Sequence, residues 1–351
     1  MPKKKRARIA DIARLAGVST ATVDRVLNHR HGASRKAIAL VNDARQRLAD
    51  GTDPASPADG VYDVILPRNA GLSTEYLVAA FRFHAARRGV TLRCSFVERL
   101  NPQDLSDALH RCGRDGSRGI AFQALEDPTV RNAVSHVAGL GIPLLTVVSG
   151  LSGMGLGYVG LDNRAAGRTA GYLMGLLCMG KGTVAVLWGG HLYRGHDERE
   201  FGFRSIVRTD FPEMGIIEVT CTQDDAEEAD QRLSELLGKE PDLAGVYSVG
   251  GGIVGAVRAL DRDRRAGSRV VVGHNLTART RDFLLERRMD IVIHQDMTSV
   301  AQKAMDYLLS SPMKQRGLTG GVAVQVITRE NLSDQLDIEA LRDFLDDGNG
   351  A

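Results

Sequence analysis

The sequence predicts an α/β chain with an N-terminal all-α head, a linker, and a two-lobed body of parallel sheets flanked by helices. Three observations carry this. Residues 9–28 repeat apolar side chains at helical spacing on either side of a Gly-Val-Ser turn. Residues 51–60, GTDPASPADG, hold two prolines and two glycines and break any regular element. From residue 61 onward, short apolar runs alternate with stretches of helical length and period, as β-α-β units do. With 351 residues, 43% of them hydrophobic, the chain suits two or three domains with substantial cores. The expected division is a head over 1–50, a linker over 51–60, a body over 61–330 and a tail over 331–351.

In the head, Ile9, Ile12, Ala13 and Ala16 recur at helical spacing, as do Val23, Val26 and Leu27. Gly17 has the freedom to end the first helix, and Ser19 suits the N-cap of the second. Two helices joined this tightly form a helix-turn-helix, whose second helix fits the major groove of B-DNA. A third helix is expected over 34–48, with Ile38, Val41, Ala44 and Leu48 on one face.

Charge supports a head that meets a polyanion. Residues 1–50 carry 12 Lys/Arg against 4 Asp/Glu, whereas the rest carries 33 against 39. The run PKKKRAR (2–8) resembles a nuclear-import signal, but it abuts Ile9 directly and reads better as a basic arm on phosphates, with Lys5 and Arg6 as contacts. No apolar run follows it, and no stretch of about 18 apolar residues exists, so the expectation is a cytoplasmic chain without a membrane span. Cys94, Cys112, Cys178 and Cys221 are far apart, which disfavours a zinc site or a disulfide framework.

In the body, strands are expected at 62–66, 91–97, 119–125, 143–148, 183–188, 245–249, 270–273 and 291–294. Helices are expected at 75–88 and 163–179 among others. Eleven or so strands exceed one comfortable sheet, hence two lobes. Ligands of such folds bind at the carboxyl ends of strands, here in a cleft between lobes.

No enzyme signature survives inspection, and no catalytic residue, cofactor or metal is expected. Of two GxGxxG matches, GLGYVG (155–160) precedes a strand and reads as a loop. GGGIVG (250–255) follows a strand, but the next strand ends without the acidic residue a ribose needs. Its glycines suit backbone amides approaching a ligand. His191, His196 and Asp197 match no zinc spacing. Trp188 and Tyr247 could stack on a sugar, yet each sits in a strand pattern where core packing is the commoner fate.

At this point the chain resembles the lac-repressor family of transcription regulators over residues 8 to about 330. The resemblance rests on IADIARLAGVSTATVDRVLN (9–28), GYVGLDNRAAGRTAGYLM (157–174), RGHDEREFGF (194–203), and VVVGHNLTARTRDFL followed by IVIHQD. The body motifs are shared with periplasmic sugar-binding proteins. The family implies a homodimer, two heads on a pseudo-palindromic operator, and a small effector in the cleft. By the same resemblance, Thr20, Ala21 and Arg25 face base edges. Arg25 has the chemistry to bridge O6 and N7 of guanine. Ser19, Thr22 and Asn28 suit phosphate contacts.

Two departures stand out. Asp24 replaces a frequent serine and needs a cationic partner, Arg25 or Arg30. Pro54 and Pro57 interrupt the hinge helix that other members place in the minor groove.

For the effector, planar polar side chains at strand ends are the candidates: Asn69, Glu126, Asn275 and Gln295. Relatives carry aspartate at Asn275 and use a glutamine like Gln295 on sugar hydroxyls. They also clamp the ligand with an arginine whose aligned position here is Asp197; Arg194, His196, Asp197 and Arg199 are the candidates to rebuild the clamp, with Asp197 and Arg199 preferred. The competing role for Asn and Asp at such loops is helix capping.

The resulting expectation is a DNA-binding regulator, a repressor controlled by a sugar or polyol. The alternatives are a solute-binding protein with no DNA role and an architectural DNA binder without effector response.

Overall fold

A computed structural model describes residues 9–16, 18–28, 30, 38, 41–42, 44–45, 60–220, 225–240, 242–263, 269–310 and 321–332. Lys5, Arg6, Gly17, Cys221, nearly all of the linker, most of the third helix and the tail beyond 332 lie outside the described residues. The chain divides into two compact units, 1–59 and 60–351.

The first unit holds α1 (Ile9–Ala16) and α2 (Thr20–Leu27). Ser19 caps α2: its Oγ accepts the Thr22 N–H at 3.1 Å, which satisfies one of the amides a helix start leaves without a partner. Ile12, Ala13, Ala16, Val23 and Val26 close a small core with Val41 and Ala44, two residues in helical conformation. Ile9 and Ile38, placed on core faces by spacing, are instead exposed and lie outside this cluster.

The second unit is the two-lobed body. Lobe 1 comprises β1 (Val61–Pro67), α3 (Leu72–Arg88), β2 (Thr91–Val97), α4 (Pro102–Arg114), β3 (Ile120–Phe122), α5 (Pro128–Gly139), β4 (Leu144–Val147) and β5 (Gly157–Leu161). The chain then enters lobe 2 with α6 (Asn163–Leu177), β6 (Thr183–Trp188), α7 (Arg194–Asp210), β7 (Gly215–Thr220), α8 (Ala226–Lys239) and β8 (Leu243–Ser248). Lobe 2 is completed by α9 (Ile253–Arg262), β9 (Val270–His274), α10 (Ala278–Leu285) and β10 (Ile291–His294). Next, α11 (Met297–Leu308) returns to pack on α3 and β4. Last, β11 (Gly321–Val322) joins β5 and β12 (Gln325–Ile327) joins β10. The chain thus passes between lobes after β5, after β10 and between β11 and β12.

The sheet orders are β11-β5-β4-β3-β1-β2 and β12-β10-β9-β8-β6-β7, all parallel except the β10–β12 pair. Helices on both faces explain why β3, β4 and β10 are buried at every position and read as continuous apolar runs. GLGYVG is not a loop, since residues 157–161 form β5 itself. Helices pack closest at glycines: a Cβ at Gly167 of α6 would lie 1.9 Å from the Arg199 carbonyl oxygen of α7, and one at Gly255 of α9 would lie 1.8 Å from the Ala226 carbonyl oxygen of α8. Only glycine lets these backbones approach so closely.

Candidate functional site

On α2, Val23 and Val26 are buried while Thr20, Ala21 and Arg25 are exposed, as are Ser19 and Asn28 at its ends; Thr22 is half-buried. Ala21, Arg25 and Asn28 follow one another at i, i+4 and i+7 and so share a face. Asp24 accepts from Asn28 Nδ2 at 2.6 Å and pairs with Arg30 Nη1 at 3.1 Å. Its charge is thereby compensated by Arg30 rather than Arg25, and Arg25 makes no ion pair among the described residues. An exposed guanidinium on a helix whose other face is locked into a core suits a major-groove reader.

In the body, a cleft of about 440 Å³ opens between the lobes. Every strand end named in this paragraph is a carboxyl end, where open parallel sheets leave crevices. Lobe 1 contributes the loop from Asn69 to Thr74 after β1, Arg99 after β2, Gln123 after β3, and Val148 and Ser149 after β4. Lobe 2 contributes Tyr193, Gly195, His196 and Arg199 after β6, Asp225 after β7, Gly250–Gly252 after β8, and His274 and Asn275 after β9. Across the rim, the Ala278 N–H at the start of α10 donates to the Tyr76 hydroxyl of α3 at 3.4 Å.

Three lining residues hold left-handed backbone without being glycine: Asn69 (φ 52°), Val148 (φ 64°) and Asn275 (φ 65°). For β-branched Val148 this conformation is strained, and strain of that kind gathers at binding sites.

Arg199 is 4% exposed and organises the floor. Its Nε donates to Asn163 Oδ1 at 2.8 Å and its Nη1 to the Val249 carbonyl at 3.0 Å. Asn163 in turn donates to the Tyr158 hydroxyl at 3.0 Å, whose single proton is shared between the Leu161 carbonyl at 2.9 Å and the Val148 carbonyl at 3.1 Å. This network links the β8 loop of lobe 2 to the strained β4 loop of lobe 1.

His274 is 4% exposed, and its Nε2 lies 2.8 Å from the Tyr247 hydroxyl. Burial, then the nearby charges of Arg199 and His196, hold its pKa well below the usual histidine value, so the ring is neutral. His274 Nδ1 and Asn275 Oδ1 are buried and have no hydrogen-bond partner among the described residues. Two neighbouring polar atoms left unsatisfied in a cleft are what a polar ligand would complete.

Of the six residues expected from sequence, Asn69, Arg199 and Asn275 line the cleft together. Glu126, Asp197 and Gln295 do not. Glu126 accepts the Ser152 N–H at 2.7 Å and pairs with Arg131, bracing the β3 and β4 loops. Asp197 binds His191 Nδ1 at 2.8 Å, and partial burial raises its carboxyl above the usual carboxylate range. Gln295 is fully buried, and its Oε1 accepts the Leu161 N–H at 3.3 Å, tying together two of the strands that cross between lobes. Trp188 and Tyr247 are core residues: Trp188 donates to Glu218 Oε1 at 2.9 Å and Tyr247 stacks on Phe203 at 4.5 Å. Among the described residues, no group of three or more His, Cys, Asp or Glu is placed to hold a metal ion.

Sequence reasoning missed Arg99, Gln123, Ser149, His274 and Arg279 in the lining. His274 had a visible signal, a polar residue closing the run VVVGH at the same strand end as Asn275.

Two family models match this chain. One, described as bacterial regulatory proteins of the lacI family, matches residues 8–49. The other, the periplasmic binding protein domain, matches residues 81–311. The chain belongs to the lacI family of bacterial regulatory proteins and carries a periplasmic-binding-protein body.

The fold of this lacI-family body is shared with solved structures. A solute-binding protein of an ABC transporter from Burkholderia graminis, in complex with D-arabinose, has a TM-score of 0.73 at 21% identity over 79% of this chain and 98% of that one. An arabinose-binding protein from Geobacillus stearothermophilus has a TM-score of 0.66 at 21% identity over 79% of this chain and 99% of that one. A periplasmic solute-binding protein from Actinobacillus succinogenes, with bound D-allose, has a TM-score of 0.71 at 18% identity over 78% and 98%. A comparison with curated protein sequences gave no match. The lacI-family head makes the chain a DNA-binding transcription regulator, in which the cleft is the place for a controlling ligand.

Proposed function

We propose that this regulator is a homodimeric repressor acting in the cytoplasm, that it catalyses no reaction, and that a sugar or polyol bound between its lobes controls its affinity for operator DNA. The observation that carries this reading is the cleft itself. It joins an inter-lobe crevice at strand carboxyl ends to His274 Nδ1 and Asn275 Oδ1, two polar atoms left without partners. Structures of the same fold were solved with D-arabinose and D-allose, which supports a carbohydrate class.

In the head, Arg25 reads bases and Ser19, Thr22 and Asn28 hold phosphates, with Lys5 and Arg6 adding salt-sensitive affinity. Exposed Tyr172, Leu176 and Met179, on and just after α6, give a second copy an apolar edge to cover. A two-headed dimer matches a two-fold operator. Ligand-driven closure of the lobes then changes operator affinity by a coupling energy of about 1–3 kcal/mol.

Thermal-shift measurements on the full chain with pentoses, hexoses, polyols and purines test the effector class. A ligand at about 100 times its Kd adds roughly 2.7 kcal/mol to native stability. A sugar or polyol hit supports the reading, and a purine hit overturns the carbohydrate class. Ligand binding by a chain with no affinity for DNA would favour a solute-binding protein.

A further inference from the structure

Among the described residues, six helices of the body begin under a capping side chain: Asn101 for α4, Asp127 for α5, Asp162 for α6, Asp225 for α8, Thr277 for α10 and Asp296 for α11. Three do not: α3, α7 and α9 start at Gly71, Tyr193 and Gly252 with no side-chain cap. All three of those starts line the cleft. A helix start carries about half a positive charge on its free amides and favours an anion when no side chain supplies one. At α7 the Ser149 hydroxyl already accepts the Gly195 N–H, at 3.3 Å, which leaves α3 and α9 as the open pair.

The side chains of the lining carry the same sign. Arg99, Arg199 and Arg279 face one carboxylate among the described lining residues, Asp225. That carboxylate is engaged, since its Oδ1 accepts the N–H groups of Glu227 and Glu228 at 2.9 and 3.0 Å. Arg99 comes from lobe 1 and Arg279 from the first turn of α10 in lobe 2, and neither makes an ion pair among the described residues. Glu75, in the first turn of α3, is exposed and lies off the lining. His274 adds an independent observation. It belongs to the lining and is 4% exposed, its buried Nδ1 has no hydrogen-bond partner among the described residues, and the opposite ring nitrogen is held on Tyr247. The Tyr247 hydroxyl and His274 Nε2 share one hydrogen bond, so Nδ1 is the ring nitrogen left for a ligand to complete.

What the lining lacks is equally informative. A neutral sugar is gripped by carboxylates that accept from its hydroxyls and by an aromatic plate under its ring. Here the one carboxylate of the described lining, Asp225, has its Oδ1 committed to capping α8, and Tyr193 is 5% exposed within the lobe 1 core.

We propose that the effector is an anionic polyhydroxyl compound whose phosphate or carboxylate group is held by Arg99, Arg279 and the uncapped starts of α3 and α9. Asn69, Gln123 and Asn275 remain for its hydroxyls. This rests on the carbohydrate reading above and narrows it.

The test is calorimetric titration of the full chain with hexose and pentose phosphates, the matching aldonates, their neutral parent sugars, and inorganic phosphate alone. At least one anionic probe should bind about tenfold or more tighter than its neutral parent, and weaken as KCl rises from about 50 to about 500 mM. A preference for sugar phosphates over aldonates identifies phosphate as the anion, and the reverse identifies carboxylate. Arg99→Ala and Arg279→Ala should each weaken that probe about tenfold while leaving the ligand-free melting temperature unchanged. If either variant fails to fold, saturable stabilisation of the wild-type chain by inorganic phosphate, beyond KCl of equal ionic strength, serves instead. Neutral sugars binding as tightly as their anionic counterparts would overturn the inference and leave the carbohydrate reading standing. Binding of neither class would overturn both.

Discussion

The Tyr247 hydroxyl lies 2.8 Å from His274 Nε2, and that contact leaves Nδ1 as the imidazole nitrogen without a partner among the described residues. Tyr247 is fully buried at the end of β8, and His274 closes the adjacent strand β9. Tyr247→Phe keeps the packing but leaves His274 Nε2 buried without a partner. The expected outcome is about 1–3 kcal/mol less stability, with weaker ligand binding because the ring is free to turn. Urea unfolding and titration of the same variant read the two effects. Unchanged values in both would show that the contact does nothing.

Arg199 is a second point of leverage. Arg199→Ala strands Asn163 Oδ1 and the Val249 carbonyl, which now accept at 2.8 and 3.0 Å. The loss should be about 2–4 kcal/mol, and Arg199→Lys should recover only part of it, because an ammonium lacks the fork that reaches both acceptors. Equal stability of the two variants would contradict this role.

Acid should weaken the fold through histidine. Burial lowers the pKa of His84 and of His294 to about 4, and holds that of His274 well below the usual value. The unfolded chain, with histidines near 6.5, binds more protons than the native state, so stability falls as pH drops through about 6.5 toward 4. His84 and His294 each contribute a loss on the order of 1–2 kcal/mol by pH 5, and His274 acts in the same direction. Asp290, whose carboxyl burial raises above the usual range, acts in the opposite sense but only at lower pH. Melting temperatures followed from about pH 7.5 to about pH 5 should decline, and His84→Gln should flatten the curve. A flat wild-type profile would contradict this assignment.

In the head, Arg25→Ala should cost about 1–3 kcal/mol of discrimination between operator and unrelated DNA, with the ligand affinity of the body untouched. Titrating both DNAs against the variant checks it. Equal weakening on both would reassign Arg25 to phosphate.

Much of this was legible in the sequence. The head motif carries its own cap, Ser19, and two of the three apolar positions expected to pack in α2, Val23 and Val26, are its buried ones, with Leu27 half-buried. Fully covered strands such as β6 and β10 announce themselves as apolar runs. The strand β7 was passed over because it is a sheet edge, with Glu218 exposed among half-buried neighbours. The cleft was half legible. Asn69 and Asn275 followed from the rule that strand ends bind ligands, but the same rule nominated Glu126, which braces a loop instead. Spacing along a chain does not say whether a polar side chain at a strand end turns into the crevice or back onto its own lobe.

Gln295 makes the same point. Its amide ties β10 to β5 at a passage between lobes. Gln295→Leu should lower stability by about 1–3 kcal/mol by stripping the Leu161 N–H of its acceptor. Lost ligand affinity with unchanged stability would return Gln295 to the cleft.

The most direct test of the account is the affinity of the full chain for an operator selected from genomic fragments, measured by fluorescence anisotropy with and without the effector found by titration. A saturating effector should shift operator affinity by about 5- to 150-fold, and by linkage the operator should shift effector affinity by the same factor. An operator affinity that ignores a ligand demonstrably bound in the cleft would contradict the account.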